Sequence, residues 1–269
     1  MATLNRSYLY HADASALGGS LMQPFHKIIP SQAEVSLPSA GGFTSDRTGD
    51  FAFEGIVSCS ASHCRASGSV SLKSGGWSTL VTAVVEDLNL LEIVTARRVV
   101  AQLSVEHPQE GDTPKVTFVG SQYVDLRIAG FPVEPLINLD LLTPSEDYPQ
   151  QPWLKNERVL KAARDQHSRR LEGTDAPEWV DARFGWLRSD QSIGERGHVS
   201  ASLVDGFRGT IVGSSYGHII EIPEFGKFYF GEVTFYHHMF RLTMVRADLG
   251  CGTHGKVSTS TTASNGQPA

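Results

Sequence analysis

The sequence YGHIIEIPEFGKFYFGEVTFYHHMFRLTMVRADL, residues 216–249, determines how the rest of the chain is interpreted. Its last third alternates apolar and polar residues. One set of alternate positions holds Phe240, Leu242 and Met244, and the other holds Arg241 and Thr243. Successive side chains of a β-strand point to opposite faces, so this period of two predicts strands with one buried face. We expect the other strands to be laid against this central ribbon.

Turn signals divide the ribbon and the segment before it. Pro223 and Gly226 predict a turn between two strands of the ribbon. Upstream, Asp205-Gly206 separates two strand-like runs, 200–204 and 207–212. A two-residue Asp-Gly loop is typical of a type I′ hairpin, so a hairpin is predicted there.

The composition agrees with many short strands. The chain of 269 residues holds 26 glycines and 13 prolines, which interrupt runs rich in Val, Ser and Thr. Together with the period of two, this predicts an all-β fold, an antiparallel sandwich or barrel with one inserted helical or irregular excursion.

The excursion divides the chain into predicted parts. Residues 1–142 form the first part of the β domain, 143–198 the insertion, 199–262 the second part with the central ribbon, and 263–269 a disordered tail. Pro152 precedes a predicted surface helix over residues 153–172. The aromatic residues Trp153, Trp179 and Trp186 either line a ligand pocket or partner site or anchor the insertion to the sheet.

Charge and hydropathy exclude some classes of protein. The net charge of −6 argues against a nucleic-acid partner, which requires a basic face. No window approaches the ~18 apolar residues of a membrane helix, so no membrane span is expected. The first 19 residues lack a basic segment followed by an apolar one, so no signal peptide is visible.

Two cysteines are close in sequence. Cys59 and Cys64 are separated by four residues, a spacing that fits a disulfide closing the tip of a hairpin. Two inert thiols are the alternative. A metal site with His63 and Cys251 lacks the usual zinc spacing. A disulfide would indicate an oxidising compartment.

Histidines and glutamates of the ribbon are the candidate acid–base groups. His218 and Glu232 fall on opposite sides of the predicted turn and could face each other, with His237 nearby. A buried pair of this kind could perform acid–base work near neutral pH. The other interpretation is a surface ion pair that contributes only ~0–1 kcal/mol.

Ser215 lies in a Gly-x-Ser-x-Gly pattern, residues 213–217, which could be a nucleophile elbow. An elbow needs a helix after the serine, whereas the following residues are β-branched and run into a proline. A glycine-rich strand junction is the alternative. The chain has no phosphate loop, HExxH motif, dinucleotide fingerprint or CxxC pair, and we expect neither a cofactor nor a metal.

A set of turn and core residues is distributed over three segments of the β regions. These are Val94-Thr95-Ala96, Gly120-Ser121, Leu126, Gly130, Pro132-Val133, Ile222-Pro223, Gly226 and Glu232. Their order and spacing over about half of the chain resemble the bacterial choice-of-anchor P type of β-rich surface protein. The resemblance implies a secreted or wall-attached protein, and therefore an extracellular or cell-surface location.

Two functions follow as expectations. The first is a non-catalytic β-rich bacterial surface, matrix or assembly protein that acts through strand or small-ligand interactions. Such a protein could form homo-oligomers through the edges of its strands. The second is a cofactor-free β-barrel enzyme, an isomerase, cyclase or hydrolase, with a His/Glu site in an enclosed pocket. A deep polar cavity at the ribbon would favour the enzyme.

Overall fold

Two large antiparallel sheets make up most of the computed structural model, which describes residues 7–71, 75–109, 113–142, 157–171, 177–180, 197–236, 239–250 and 254–268. The predicted all-β sandwich is confirmed, with a short helical excursion. Within the described residues neither sheet closes into a barrel, the other predicted arrangement.

The first sheet has eleven strands. In chain order they are β4 (Gly42–Thr48), β5 (Phe51–Phe53), β6 (Val57–Cys59), β7 (Ala61–Val70), β8 (Trp77–Leu90), β9 (Val94–His107), β10 (Lys115–Thr117), β11 (Gln122–Val124), β12 (Arg127–Ile128), β13 (Phe131–Ile137) and β15 (Val204–Gly209). Its centre is the long β8–β9 hairpin, which pairs from Trp77 opposite His107 to Leu90 opposite Val94.

The second sheet has eight strands and contains the ribbon. They are β2 (Ala12–Gln23), β3 (Lys27–Ser36), β14 (Val199–Ser202), β16 (Ser214–Tyr216), β17 (Ile219–Ile222), β18 (Gly226–Phe235), β19 (Phe240–Leu249) and β20 (His254–Ser264). The predicted turn is confirmed, because Ile222 pairs with Gly226 across the β17–β18 hairpin.

The core lies between the two sheets. Phe240, Leu242 and Met244 are fully buried in it, as the period of two predicts. Arg241 is exposed, but Thr243 is only 7% exposed, so the opposite face of β19 is partly covered.

Hydrogen bonds also cross between the sheets. The hydroxyl of Tyr123 donates to the carbonyl oxygen of Met244 at 2.5 Å, and the hydroxyl of Ser260 donates to the carbonyl oxygen of Val99 at 3.2 Å. A buried hydrogen bond of this kind contributes about 1 kcal/mol net, and leaving its donor unpaired would cost more. These bonds fix how one sheet is positioned on the other.

Asp205-Gly206 does not form the predicted hairpin. Both residues lie inside β15, which pairs with β13 of the first sheet, whereas the preceding β14 pairs with β18 of the second. The chain therefore crosses between the sheets at Leu203, whose amide donates to the carbonyl oxygen of Gly231. A tertiary crossing overrides the local turn preference here.

Helix α1 (Glu157–Leu171) contributes to the core. The sequence predicts a helix on the surface, but Val159, Leu160 and Ala163 are buried in the same apolar cluster as the sheets. Gln166 holds the helix against the crossing: its side-chain amide donates to the carbonyl oxygen of Ser202 at 2.7 Å and accepts from the amide of Ser202 at 3.1 Å. No helix in the described ranges is long and apolar enough to cross a membrane.

The two ends of the described chain meet. β1 (Tyr8–Leu9) pairs with β21 (Gln267–Pro268). The last residues, predicted to form a disordered tail from residue 263, instead complete β20 up to Ser264 and then form this pair with β1. β20 lies between β19 and β2 inside the second sheet.

Candidate functional site

The predicted His–Glu pair comes together on the outer side of the second sheet. Nε2 of His218 lies 4.0 Å from Oε1 of Glu232, and the His218 side chain is 2% exposed. The imidazole belongs to the turn between β16 and β17, and Glu232 belongs to β18. The sequence therefore identifies two residues that do approach each other, at a distance longer than a hydrogen bond.

Arg246 on β19 holds the Glu232 carboxylate. Its Nε lies 2.6 Å from Oε2 and its Nη2 lies 3.0 Å from Oε1, and it also donates to Asp248. The guanidinium stacks 3.6 Å from the ring centroid of buried Tyr229. Burial opposes the charge of Arg246, but the bonds and charges of Glu232 and Asp248 outweigh it and raise its pKa. A carboxylate held at both oxygens is arranged as a structural ion pair.

Trp179 anchors part of the insertion beside this cluster. Its indole Nε1–H donates to Glu221 at 3.2 Å, and Lys227 lies 4.4 Å above its ring. Tyr216 packs edge-on against the same ring. This geometry favours the interpretation of Trp179 as an anchor over that of a pocket lining. Trp153 and Trp186 lie outside the described residues.

The remaining catalytic candidates gain no support. Ser215 is exposed in β16 and is followed by strand β17, so the helix that a nucleophile elbow requires is missing from this position. His237 lies outside the described residues. No group of three metal-ligating side chains is found within the described ranges.

The predicted disulfide is wrong. Cys59 and Cys64 are both free and buried. β6 and β7 do not form a hairpin: both pair with β8, Ser58 opposite Asn89 and Ala61 opposite Glu86, so the two strands follow one line.

Five residues along an extended chain span roughly 16 Å, far beyond the ~7 Å limit for a disulfide. The thiol of Cys64 instead donates to the carbonyl oxygen of Ala33 at 2.8 Å. Burial, with smaller contributions from the charges of Asp46 and Glu34, raises the pKa of Cys64 to about 12. The thiol is therefore protonated and unreactive at neutral pH.

A different site lies on the outer face of the first sheet. A groove of about 880 Å³ runs across β4, β7, β8, β9 and the start of β11. Five neighbouring strands span roughly 19 Å at the usual spacing. Its polar lining includes Arg47, His63, Arg65, Arg98, Gln102 and Gln122.

Strand register sets these side chains in two rows across the sheet. One row runs Arg47, His63, Val84, Val100 and Gln122, and the next runs Ser45, Arg65, Thr82 and Gln102. Residues two apart on a strand share a face, so His63 and Arg65 point to the same side of β7. Each row therefore places a basic group at the β4–β7 end of the groove and an amide at the β9–β11 end.

The basic end has a defined geometry. Nε of Arg65 donates to Nε2 of His63 at 2.7 Å. The pKa of His63 is lowered by burial and then by the positive charges of Arg65 and Arg47. His63 is therefore a neutral acceptor between two guanidinium groups.

Acidic residues of the groove have other partners. Arg98 binds Glu86 with Nε at 2.7 Å and Nη2 at 2.6 Å from the same oxygen. The Asp46 carboxylate accepts from the backbone amides of Glu34 and Arg47. In the described part of the chain, neither Arg47 nor Arg65 forms an ion pair with a carboxylate.

No pattern within a single segment of the sequence predicts this groove. Its residues come from five separate strands, and each looks like an ordinary solvent-facing residue in its own segment. The one local signal is His63-x-Arg65 within β7, and the contribution of Arg47 depends on a strand register that the sequence does not specify.

The fold and the groove define an all-β sandwich with a polar outer face. A family model described as "Domain of unknown function (DUF8256)" matches residues 8–236, which is most of the chain. The chain belongs to this family. No curated protein and no solved structure matches it.

Proposed function

We propose that this chain is a non-catalytic binding protein of the bacterial surface or matrix, and that the outer groove of the first sheet is its binding face. The observation that carries the proposal is the groove itself. Its volume of about 880 Å³ falls within the roughly 300–1,000 Å³ typical of small-ligand sites. The location rests on the resemblance to choice-of-anchor P proteins.

The groove side chains suit a polar ligand. Ser45, Thr82, Gln102 and Gln122 line it with hydroxyl and amide groups, each of which can both donate and accept hydrogen bonds. The groove lies on paired strands, so the backbone that carries these side chains is fixed before binding. A rigid site of this kind lowers the entropic cost of association.

The enzyme alternative is weaker. General acid–base catalysis needs a proton-transfer group within hydrogen-bond reach of its substrate. Glu232 instead directs both oxygens at Arg246, and His218 is buried at 2% exposure. This arrangement supports a structural role for the cluster.

Self-association through strand edges stays part of the proposal. β3 is the end strand of the second sheet, and Ile28 on it is 69% exposed. Phe25, in the adjacent β2–β3 turn, is 70% exposed. An exposed apolar patch beside an end strand supports contact with another protein surface.

The test is a thermal-shift screen of polar small molecules against three proteins. In the first variant, Val84→Trp, an indole is placed in the middle of the groove. In the matched control, Arg241→Trp, the same side chain is placed on the outer face of the second sheet. We expect a ligand that raises the Tm of the wild type and of the control but not of Val84→Trp. A ligand that stabilises all three equally would contradict the groove as binding face.

A further inference from the structure

The β4–β7 end of the groove carries two guanidinium groups on neighbouring strands, and neither forms an ion pair with a carboxylate of the described residues. Arg47 lies directly opposite His63 in the strand register, and Arg65 lies diagonally across from Arg47. Arg47 and Arg65 are both positively charged, and like charges on neighbouring strands destabilise a sheet. An anion placed between them would relieve the repulsion.

The acidic groups near this end are Asp46 on β4 and Glu34 on β3, both close enough to influence the pKa of Cys64. β7 contributes His63 and Arg65, and β4 contributes Arg47 and Asp46, whose carboxylate is bonded to two backbone amides. The adjacent strands β8 and β9 contribute Glu86 and Arg98, which pair with each other. The two guanidinium groups of Arg47 and Arg65 therefore remain available to a ligand.

We propose that Arg47, His63 and Arg65 bind the anionic group of a saccharide, a carboxylate or a sulfate, while its hydroxyls contact the Gln102 and Gln122 end of the groove. This proposal rests on the function proposed above. Guanidinium groups bind such oxyanions through paired, charge-assisted hydrogen bonds. The amide and hydroxyl rows complement a ligand rich in hydroxyl groups.

A nucleic acid fits the groove less well. Sequence-tolerant binding of single strands relies on aromatic side chains that stack on the bases. The groove lining contains no aromatic ring other than the imidazole of His63, and it includes the acids Asp46 and Glu86. Phosphate-backbone binding would instead require an extended basic surface.

Protonation of His63 gives the site a pH dependence. Bound anion favours the charged imidazole, so it raises the pKa of His63 and releases the Arg65 Nε–H from its bond to Nε2. Affinity for the acidic saccharide should therefore increase on acidification from about pH 7.5 to about pH 5.5, on either side of the ordinary histidine pKa. A His63→Gln variant should show a flatter profile over this range.

Calorimetric titration tests the proposal with saccharides of matched length that are neutral, uronate-bearing or sulfated, and with a single-stranded DNA oligonucleotide. The test variant is Arg47→Gln/Arg65→Gln. The control variant, Arg208→Gln/Arg241→Gln, removes equal charge from exposed positions elsewhere. We expect an acidic saccharide to bind the wild type and the control, and to bind the test variant about tenfold to a hundredfold more weakly. Comparing uronate with sulfate identifies the anion.

Each other outcome is decisive. Equal binding of neutral and acidic saccharides overturns the anion site but leaves the groove as binding face. Acidic saccharide binding that the test variant does not weaken also overturns it. Preference for DNA, or no binding of any saccharide, overturns the ligand class. The groove itself is then judged separately by the Val84→Trp screen, which uses unrelated compounds. Thermal melts of both double variants confirm that they fold.

Discussion

Arg65 donates its Nε–H to Nε2 of His63 at 2.7 Å, and this bond requires the imidazole nitrogen to be unprotonated. Burial, followed by Arg65 and Arg47, lowers the pKa of His63 in the folded protein below the ordinary value of about 6.5. The unfolded chain therefore takes up this proton at higher pH than the folded protein. The contribution of His63 to the free energy of unfolding is complete above about pH 6.5 and decreases as the pH falls through the lower folded pKa.

We predict that His63→Gln makes the stability of the protein less sensitive to acid. The measurement is urea denaturation of both proteins from about pH 7.5 to about pH 5, a range that includes the ordinary histidine pKa. The wild type should lose more stability than the variant below about pH 6.5. Parallel curves for the two proteins would show that His63 is not perturbed as described.

A second prediction concerns the ion-pair cluster. Glu232→Gln should destabilise the protein by about 1–3 kcal/mol, because Arg246, only 15% exposed, loses one of its two charged partners. The matched control is Glu134→Gln, which removes an exposed partner of Arg208 at a cost of about 0–1 kcal/mol. Groove binding should be unchanged in both. A Glu232→Gln protein that keeps its stability but loses ligand binding or turnover would instead support the enzyme.

A third prediction concerns the central ribbon. Leu242→Ala should cost ~2–5 kcal/mol, since it removes a fully buried side chain and leaves a cavity. Arg241→Ala, one residue away on the exposed side, should change the free energy of unfolding by less than about 0.5 kcal/mol. Denaturant titration gives both values. Similar costs for the two variants would mean that β19 has no distinct buried face.

A fourth prediction concerns the free thiols of Cys59 and Cys64. Denatured, unreduced protein should be alkylated at both positions, because the strand geometry keeps them apart. Peptide mass mapping locates the label. If these two residues were labelled only after reduction, the protein would contain the disulfide after all.

Local patterns in the sequence predicted those parts of the fold that depend on one segment. The alternation around Leu242 identified the buried face of β19, and Pro223 marked the turn before β18. The hairpin predicted at Asp205-Gly206 is not formed, because the turn preference of two residues is weaker than the packing that takes the chain from one sheet to the other at Leu203. The disulfide predicted from the spacing of Cys59 and Cys64 is wrong for a similar reason, since β6 and β7 both pair with β8.

The candidate sites divide in the same way. His218 and Glu232 could be paired from sequence because one short hairpin separates them. Arg47 and His63 could not, because their pairing depends on the register between β4 and β7, which no local pattern encodes. A site assembled from rows across a sheet is apparent only once every strand has been aligned.

Mapping of ligand-induced amide chemical shifts shows directly whether a ligand binds in the groove of the first sheet. The probe is the compound with the largest stabilising effect on the wild type. Our account predicts that the shifts cluster on β4, β7, β8 and β9, around Arg47, His63 and Gln102, and leave Glu232 and its neighbours unchanged. Shifts centred on His218 and Glu232, with none in the groove, would contradict it.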